Sequence, residues 1–370
     1  MYMCQHCGHQ LDVPTLPVAS QVTCPSCGKR TRLAAPLPQT HAGQPKMAIA
    51  PIDAPKGLSP AEVCEVGRQL VANIEKVIVG KHEQVVLAVT TLLAEGHLLI
   101  EDVPGVAKTM LARAMAQSAG CSFKRIQCTP DLQPSDVLGE PHLDPKTGRA
   151  EFNFGPLFSQ FVLVDEINRA SPRTQAALLE AMGEAMVTEG NVSYRLQKPF
   201  MVVATQNPIE QEGTFLLPEA QKDRFLMRMN LGYPSFADEK QMVERFQLRH
   251  PIDTLQPVAT PDRILKIQEA VRDVKVASEV NDYILKLVRG TREHPALLLG
   301  SSPRGSLGLF RAAQAMAAIA GKDFVSAELV KSLAQKVLAH RLIVRREEKF
   351  RDTRVEDVVA EILAKIPLPV

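Results

Sequence analysis

Between residues 58 and 235, short apolar runs alternate with segments whose apolar residues recur at helical spacing. The runs at 97–101, 161–165 and 200–205 are almost continuously apolar, and 124–128 forms a fourth, more polar one. A run without polar alternation predicts a strand covered on both faces, as in a parallel sheet flanked by helices. Helical periodicity predicts helices over 107–118 and 173–182, the second capped by Ser171 with Pro172 at its first position. Its stripe of Leu178, Leu179 and Met182 reads as core. After about Ser235 the strand pattern stops, and helices are predicted to the end, most clearly at 264–271, 281–289 and 306–320. The fold class is therefore α/β: a parallel-sheet core over 58–235 and an all-α domain over 236–370.

Composition changes this picture only at the N-terminus. Charged residues make up 23% of the 370 and the net charge is +2, so no strong global field points to DNA or an anionic membrane. No apolar run reaches the length of about 18 that a membrane span needs. The opening MYMCQHCGHQ lacks a basic-then-apolar leader, so a cytoplasmic, reducing location is expected. Four of the seven cysteines, Cys4, Cys7, Cys24 and Cys27, form two C-x-x-C knuckles, each followed by a glycine. In a reducing compartment this spacing predicts a tetrahedral four-thiolate Zn²⁺ site, a zinc ribbon over residues 1–33, with iron as the alternative metal. Cys64, Cys121 and Cys128 have no such spacing and read as buried small apolar residues. Residues 34–57 carry Pro36, Pro38, Pro45, Pro51 and Pro55 among Ala, Gln and Gly, the composition of an extended linker.

Three strand ends carry candidate chemistry. The stretch EDVPGVAKT (101–109) joins the first apolar run to a helix, the context of a phosphate-binding loop. It ends in the Lys108-Thr109 that the pattern G-x-x-x-x-G-K-[ST] requires, but Asp102 and Ala107 replace the glycines. Gly105 is free to take a positive φ, and Ala107 is expected in the first helical turn. The loop is expected to function, although an acidic Asp102 near the phosphates could weaken nucleotide affinity. The run 161–165 ends in Asp165, followed by Glu166, a pair able to hold the water shell of Mg²⁺ and to polarise an attacking water. The run 200–205 leads into Thr205-Gln206-Asn207, whose amides could meet a γ-phosphate or that water. In a parallel sheet all three ends share one edge.

From about Leu58 onward the chain resembles the MoxR family of AAA+ ATPases. The likeness rests on VIVGKHEQV (77–85), VPGVAKT (103–109), LQPSDVLGE (132–140) and EFNFGPLF (151–158). It continues through VDEINRASPRTQAALLEAM (164–182), ATQNPIEQEGTFLLPEAQKDRF (204–225) and GSSPRGSLGLFRAAQAMA (300–317). The resemblance implies a P-loop AAA+ core with the C-terminal helices as its lid. It also implies ATP and Mg²⁺ bound by Gly80, Pro104, Gly105, Val106, Ala107, Lys108, Thr109 and Asp165. Glu166 would activate water, Asn207 would be the first nucleotide sensor and Arg304 the second, and Arg224 would be a finger completing a neighbouring subunit's site. Ala is familiar at position 107 in this family, and Lys81 stands where Gln is usual, near the adenine. Without the resemblance, Arg224 would read as an ion pair with Asp223 and Arg304 as a solvated first-turn residue.

The expected function is ATP-driven remodelling, cofactor insertion or assembly of a client protein by a homo-oligomeric ring, usually a hexamer. The resemblance implies a partner with a von Willebrand A domain. The rival function is a nucleic-acid motor or regulator gripping DNA or RNA through the ribbon. Against it, Lys29, Arg30 and Arg32 against Asp12 give residues 1–33 only +2 before four thiolates and Zn²⁺ contribute about −2. Tyr2 is the module's only aromatic, a poor stacking platform. A non-hydrolysing nucleotide scaffold is the third reading.

Overall fold

The computed structural model describes residues 2–3, 10–11, 21–24, 26–28, 30–32, 58–143, 150–189, 192–208, 214–215, 217–246, 250–349 and 352–369. The chain divides into two compact units, Met1–Lys56 and Gly57–Val370.

In the first unit, Tyr2–Met3 pairs antiparallel with Gln10–Leu11, and Gln21–Thr23 with Arg30–Arg32. One C-x-x-C falls between the strands of each pair. Cys4 and Cys7 lie outside the described residues. In the second knuckle Cys24 is buried and Cys27 half-buried. The Gly28 N–H donates to the Cys24 carbonyl (2.9 Å), and Gly28 takes φ +71°, which its missing Cβ permits. Among the described residues, no group of three or more metal-ligating side chains is gathered.

The second unit is built on five parallel strands: β1 (Leu98–Glu101), β2 (Phe123–Gln127), β3 (Phe161–Asp165), β4 (Met201–Gln206) and β5 (Met227–Met229). Their order across the sheet is 5-1-4-3-2. The longer helices are α1 (Pro60–Ile74), α2 (His82–Leu93), α3 (Lys108–Ser118), α4 (Pro172–Glu184), α5 (Phe236–Phe246) and α6 (Pro261–Val271). They continue with α7 (Ser278–Glu293), α8 (Pro303–Ile319), α9 (Ala327–Leu338) and α10 (Val355–Lys365). α1 starts where Ser59 and Glu62 exchange bonds: the Glu62 N–H donates to the Ser59 hydroxyl and the Ser59 N–H to the Glu62 carboxylate. α4 starts at the expected Ser171, whose hydroxyl accepts from the Thr174 N–H.

The continuous apolar runs are explained by two-sided burial. Leu98, Ile100, Phe161, Leu163, Met201 and Val203 pack into one core with α1, α2, α3 and the C-terminal helices. Their alternate neighbours Leu99, Val162, Val164, Val202 and Ala204 join Leu178, Leu179 and Met182 of α4 in a second core on the other face. Each such fully buried side chain stabilises the fold by about 1.5–3 kcal/mol. His97 fastens the entering edge of this sheet. The Val202 N–H donates to its Nδ1 (3.1 Å), which places the ring proton on Nε2, 3.1 Å from the Met182 carbonyl. Burial pushes its pKa down to about 4, so the ring is neutral at pH 7.

Several elements differ from those the pattern predicts. β5 is a fifth strand of only three residues, paired with β1. Two ribbons, Gly139–Leu143 with Ala150–Phe154 and Met186–Glu189 with Val192–Arg195, interrupt the core. Among its described residues, the C-terminal region adds to its helices one short strand pair, Leu297–Leu299 with Ile343–Val344.

Candidate active site

Parallel pairing sets the ends of β1, β3 and β4 on one edge, here the exit edge. After β1 the chain turns through Gly105, at φ +85° with open space where a Cβ would stand, and enters α3. The first N–H groups of α3 have no helical partner and face this space, an arrangement suited to an anion. The Lys108 ammonium spans the loop, donating to the carbonyls of Asp102 (2.7 Å) and Val103 (3.1 Å). Thr109 follows it in the first turn, half-buried. Ala107 lies just before that turn, capping α3 at φ 62°, ψ 23°. The later glycine of the pattern therefore supplies a left-handed conformation, which Ala adopts at a cost of about 1–2 kcal/mol.

Asp102 corrects an expectation. Its carboxylate points away from the loop mouth, buried, and accepts from three backbone N–H groups: Val103 (2.8 Å), Leu231 (2.6 Å) and Gly232 (2.6 Å). It ties the start of the loop to the segment after β5 rather than repelling phosphate. Asp102→Ala should cost about 1–3 kcal/mol in urea unfolding, because buried donors lose their acceptor. It should also weaken binding of a fluorescent ATP analogue; tighter binding would restore the repulsion reading.

The segment before α2 packs against the chain that follows β5. Gly80, at φ +70°, comes so close to the Asp238 carboxylate that a Cβ there would collide with it. Lys81 donates from its ammonium to the Tyr233 carbonyl (2.8 Å), so its charge is engaged with backbone.

The carboxylates are organised by one hydroxyl. Thr205 Oγ1 donates to Asp165 Oδ1 (2.5 Å) and accepts from the Glu166 N–H (2.9 Å), fixing the two strand ends together. Glu166 sits in the left-handed region at φ 56°, which turns its side chain out of the strand direction. Its Oε2 accepts from Gln127 Nε2 and Arg169 Nη1, both at 3.1 Å. Asp165 Oδ2 accepts from Arg125 Nη2 (2.6 Å) and Nε (3.2 Å). Asn207 is buried immediately after β4. Neighbouring Cys128 is fully buried, and burial, with Asp165 and Glu166 nearby, pushes its thiol up to about 12, so it is not a thiolate nucleophile.

The two arginines lie elsewhere. The Leu226 N–H donates to the His97 carbonyl, which places Arg224 at the entering edge. Its Nη1 donates to the Leu179 carbonyl (2.6 Å), and its guanidinium fills the space a Cβ on Gly183 would need. Arg304, in the first turn of α8, reaches Asp223 (3.8 Å), which also accepts from the Ser302 hydroxyl (2.8 Å) and pairs with Arg341. Asp223 thus serves Arg304 and Arg341, not Arg224. Arg224, Arg304, Arg311 and Arg341 line one cavity of about 290 Å³ with Gly96 and His97. The four residues of β1 separate His97 at that edge from Asp102, a rise of roughly 17 Å. The structure therefore gathers Lys108, Thr109, Asp165, Glu166 and Asn207 at one end and sets Arg224 and Arg304 at the other.

Sheet order, phosphate loop, paired carboxylates and helical C-terminal region define an AAA+ ATPase, which takes ATP with Mg²⁺. The description "ATPase family associated with various cellular activities (AAA)" matches residues 97–227, and "AAA lid domain" matches residues 289–362. The chain is 47% identical over 300 residues to the Bacillus subtilis (strain 168) protein YeaC, covering 81% of this chain and 94% of that one. It is 38% identical over 343 residues to the chaperone MoxR1 of Mycobacterium tuberculosis, covering 90% and 89%. A crystal structure of a candidate ATPase from Cytophaga hutchinsonii superposes with a TM-score of 0.79 at 35% identity, covering 84% of this chain and 97% of that one. The chain belongs to the MoxR family of AAA+ ATPases. Among the described residues, no helix is long and apolar enough to cross a membrane.

Proposed function

We propose that the chain works in the cytoplasm as a ring of its own copies, usually six in this family, and uses ATP hydrolysis to remodel, load or assemble a client protein. One observation carries the ring: the arginines Arg224 and Arg304 stand at the sheet edge opposite their own phosphate loop. Groups so placed serve a nucleotide only on another chain, and a head-to-tail contact that closes on itself gives a ring. The chaperone name of MoxR1 supports the remodelling class.

The residues fit the nucleotide. The open space over Gly105 and the free N–H groups of α3 accommodate phosphates, with Pro104, Val106 and Ala107 shaping the cradle. Lys108 exchanges its two carbonyl partners for β- and γ-phosphate oxygens, and Gly80 borders the adenine. Thr109 and Asp165 would hold Mg²⁺, which takes few protein ligands and keeps several waters. When bound, the ion neutralises charge building on the phosphate oxygens. Glu166, aimed by its turned backbone and by Gln127 and Arg169, polarises the attacking water. Asn207 contacts the γ-phosphate, and the neighbouring chain's arginines stabilise the transferring group.

The working divisions are a ribbon over 1–33, a linker over 34–57, the ATPase core over 58–235 and the lid over 236–370. The four cysteines would hold Zn²⁺, and the Gly28 turn at the second knuckle has the shape such a site needs. The ribbon serves to select a partner protein, the partner for the ring being one with a von Willebrand A domain. Sedimentation of Glu166→Gln with ATP tests the ring: a single species of ring size is expected, and a monomer at every concentration would overturn it.

A further inference from the structure

β2 lies at the sheet's edge, and its register with β3 sets Gln127 opposite Asp165 and Arg125 opposite Leu163. Residues two apart on a strand share a face, so Arg125 and Gln127 both lean over the carboxylate pair. Arg125 Nη2 and Nε converge on a single oxygen, Asp165 Oδ2, while Thr205 holds Oδ1. The same Nη2 donates to Gln127 Oε1 (2.5 Å), and the Gln127 amide donates in turn to Glu166. One guanidinium thus sits on the carboxylate oxygen left to a cation, and is linked through one amide to the other carboxylate. Arg125 reaches it from solvent: its side chain is 48% exposed, against 12% for Asp165. A contact of that kind is exchangeable.

We propose that Arg125 is a positioning residue that occupies the cation place on Asp165 and gives it up when nucleotide arrives with Mg²⁺. The inference rests on the reading that Asp165 takes the ion. Guanidinium and Mg²⁺ are alternatives on Oδ2, so Arg125 sets the Mg²⁺ concentration at which nucleotide is held. The resting carboxylate of Asp165 stays neutralised and aligned until the site is loaded.

The test is binding of a fluorescent ATP analogue to the full chain, titrated with Mg²⁺ and repeated without it. Arg125→Ala should lower the half-saturating Mg²⁺ by roughly two- to fivefold, the competition expected of a half-exposed pair. Binding without Mg²⁺ should stay unchanged, which a merely structural role would not produce. Arg125→Lys keeps the charge without the fork and should fall between Ala and wild type. Arg125→Gln serves in place of Ala if Ala lowers the melting temperature. An unchanged or raised Mg²⁺ requirement would overturn the proposal, as would an equal change with and without the ion. Asp165→Asn separates the two levels: if it leaves the Mg²⁺ dependence intact, the metal reading of Asp165 fails, whatever Arg125 does.

Discussion

Glu166→Gln should lower ATP turnover by about 10²–10⁴-fold, the range that loss of a positioned general base produces, with nucleotide binding nearly unchanged. Gln keeps the volume of Glu and a carbonyl oxygen to accept from Gln127 and Arg169, so the backbone turn at residue 166 should persist. What it lacks is the negative charge that draws a proton from water. The neighbouring Asp165 cannot replace it: Thr205 holds one of its oxygens, and the other is held by Arg125 or, in the loaded site, by the Mg²⁺ that would take its place. Steady-state phosphate release, measured beside analogue binding, separates chemistry from affinity. Turnover that was equal in both proteins would remove Glu166 from the reaction.

Asp223→Ala should destabilise the Gly57–Val370 unit by about 3–5 kcal/mol, the cost of leaving a buried charge unpaired. In a thermal melt this corresponds to a fall on the order of 10 °C. The stranded charge is Arg341, whose side chain is 3% exposed. Its guanidinium donates to the carbonyls of Asp223 (2.8 Å) and Phe225 (2.6 Å) besides pairing with the Asp223 carboxylate, and its Nε donates to the Val337 carbonyl. Burial pushes the Arg341 pKa down, and Asp223 is the main influence raising it again. Asp223→Asn retains an acceptor and should lose less. Asp223→Ala combined with Arg341→Met should lose less than the two single changes together, since no charge is left alone. A loss below about 1 kcal/mol for Asp223→Ala would show that water reaches Arg341.

The sheet was legible where burial made it so. β1, β3 and β4 have both faces covered, and their apolar runs say so directly. β5 escaped because three residues, with Arg228 in the middle, carry too little pattern to distinguish a strand from a loop. The two ribbons escaped for another reason: Gly139 and Pro141 break any alternating pattern in the first, and Phe152, Phe154, Phe158 and Tyr194 find one another only in space. Their rings lie 4.5 to 6.5 Å apart, with Phe152 stacked on Tyr194.

The site shows the same division. Lys108, Thr109, Asp165, Glu166 and Asn207 could be singled out because each stands at the end of a readable strand or the start of a readable helix. The anchoring role of Asp102 was not legible because its partner Leu231 lies 129 residues away. Judged along the chain, an acid in a phosphate loop is a defect; in space it is the anchor of that loop. Arg341 went unnoticed for a similar reason, with Asp223 118 residues before it. Thr205 was noticed for its position and not for its hydroxyl, which links Asp165 to the Glu166 N–H.

The division of the site between two ends of the sheet is tested most directly by mixing two inactive proteins. Glu166→Gln chains keep their arginines but lack the base; Arg224→Ala chains keep the base but lack the finger. Each alone should hydrolyse ATP at a small fraction of the wild-type rate. Mixed in equal amounts and allowed to exchange subunits, they should recover part of it, about one quarter of the wild-type rate if neighbours assort at random around a closed ring. Turnover in the mixture that stays at the average of the two separate proteins would mean that every chain completes its own site.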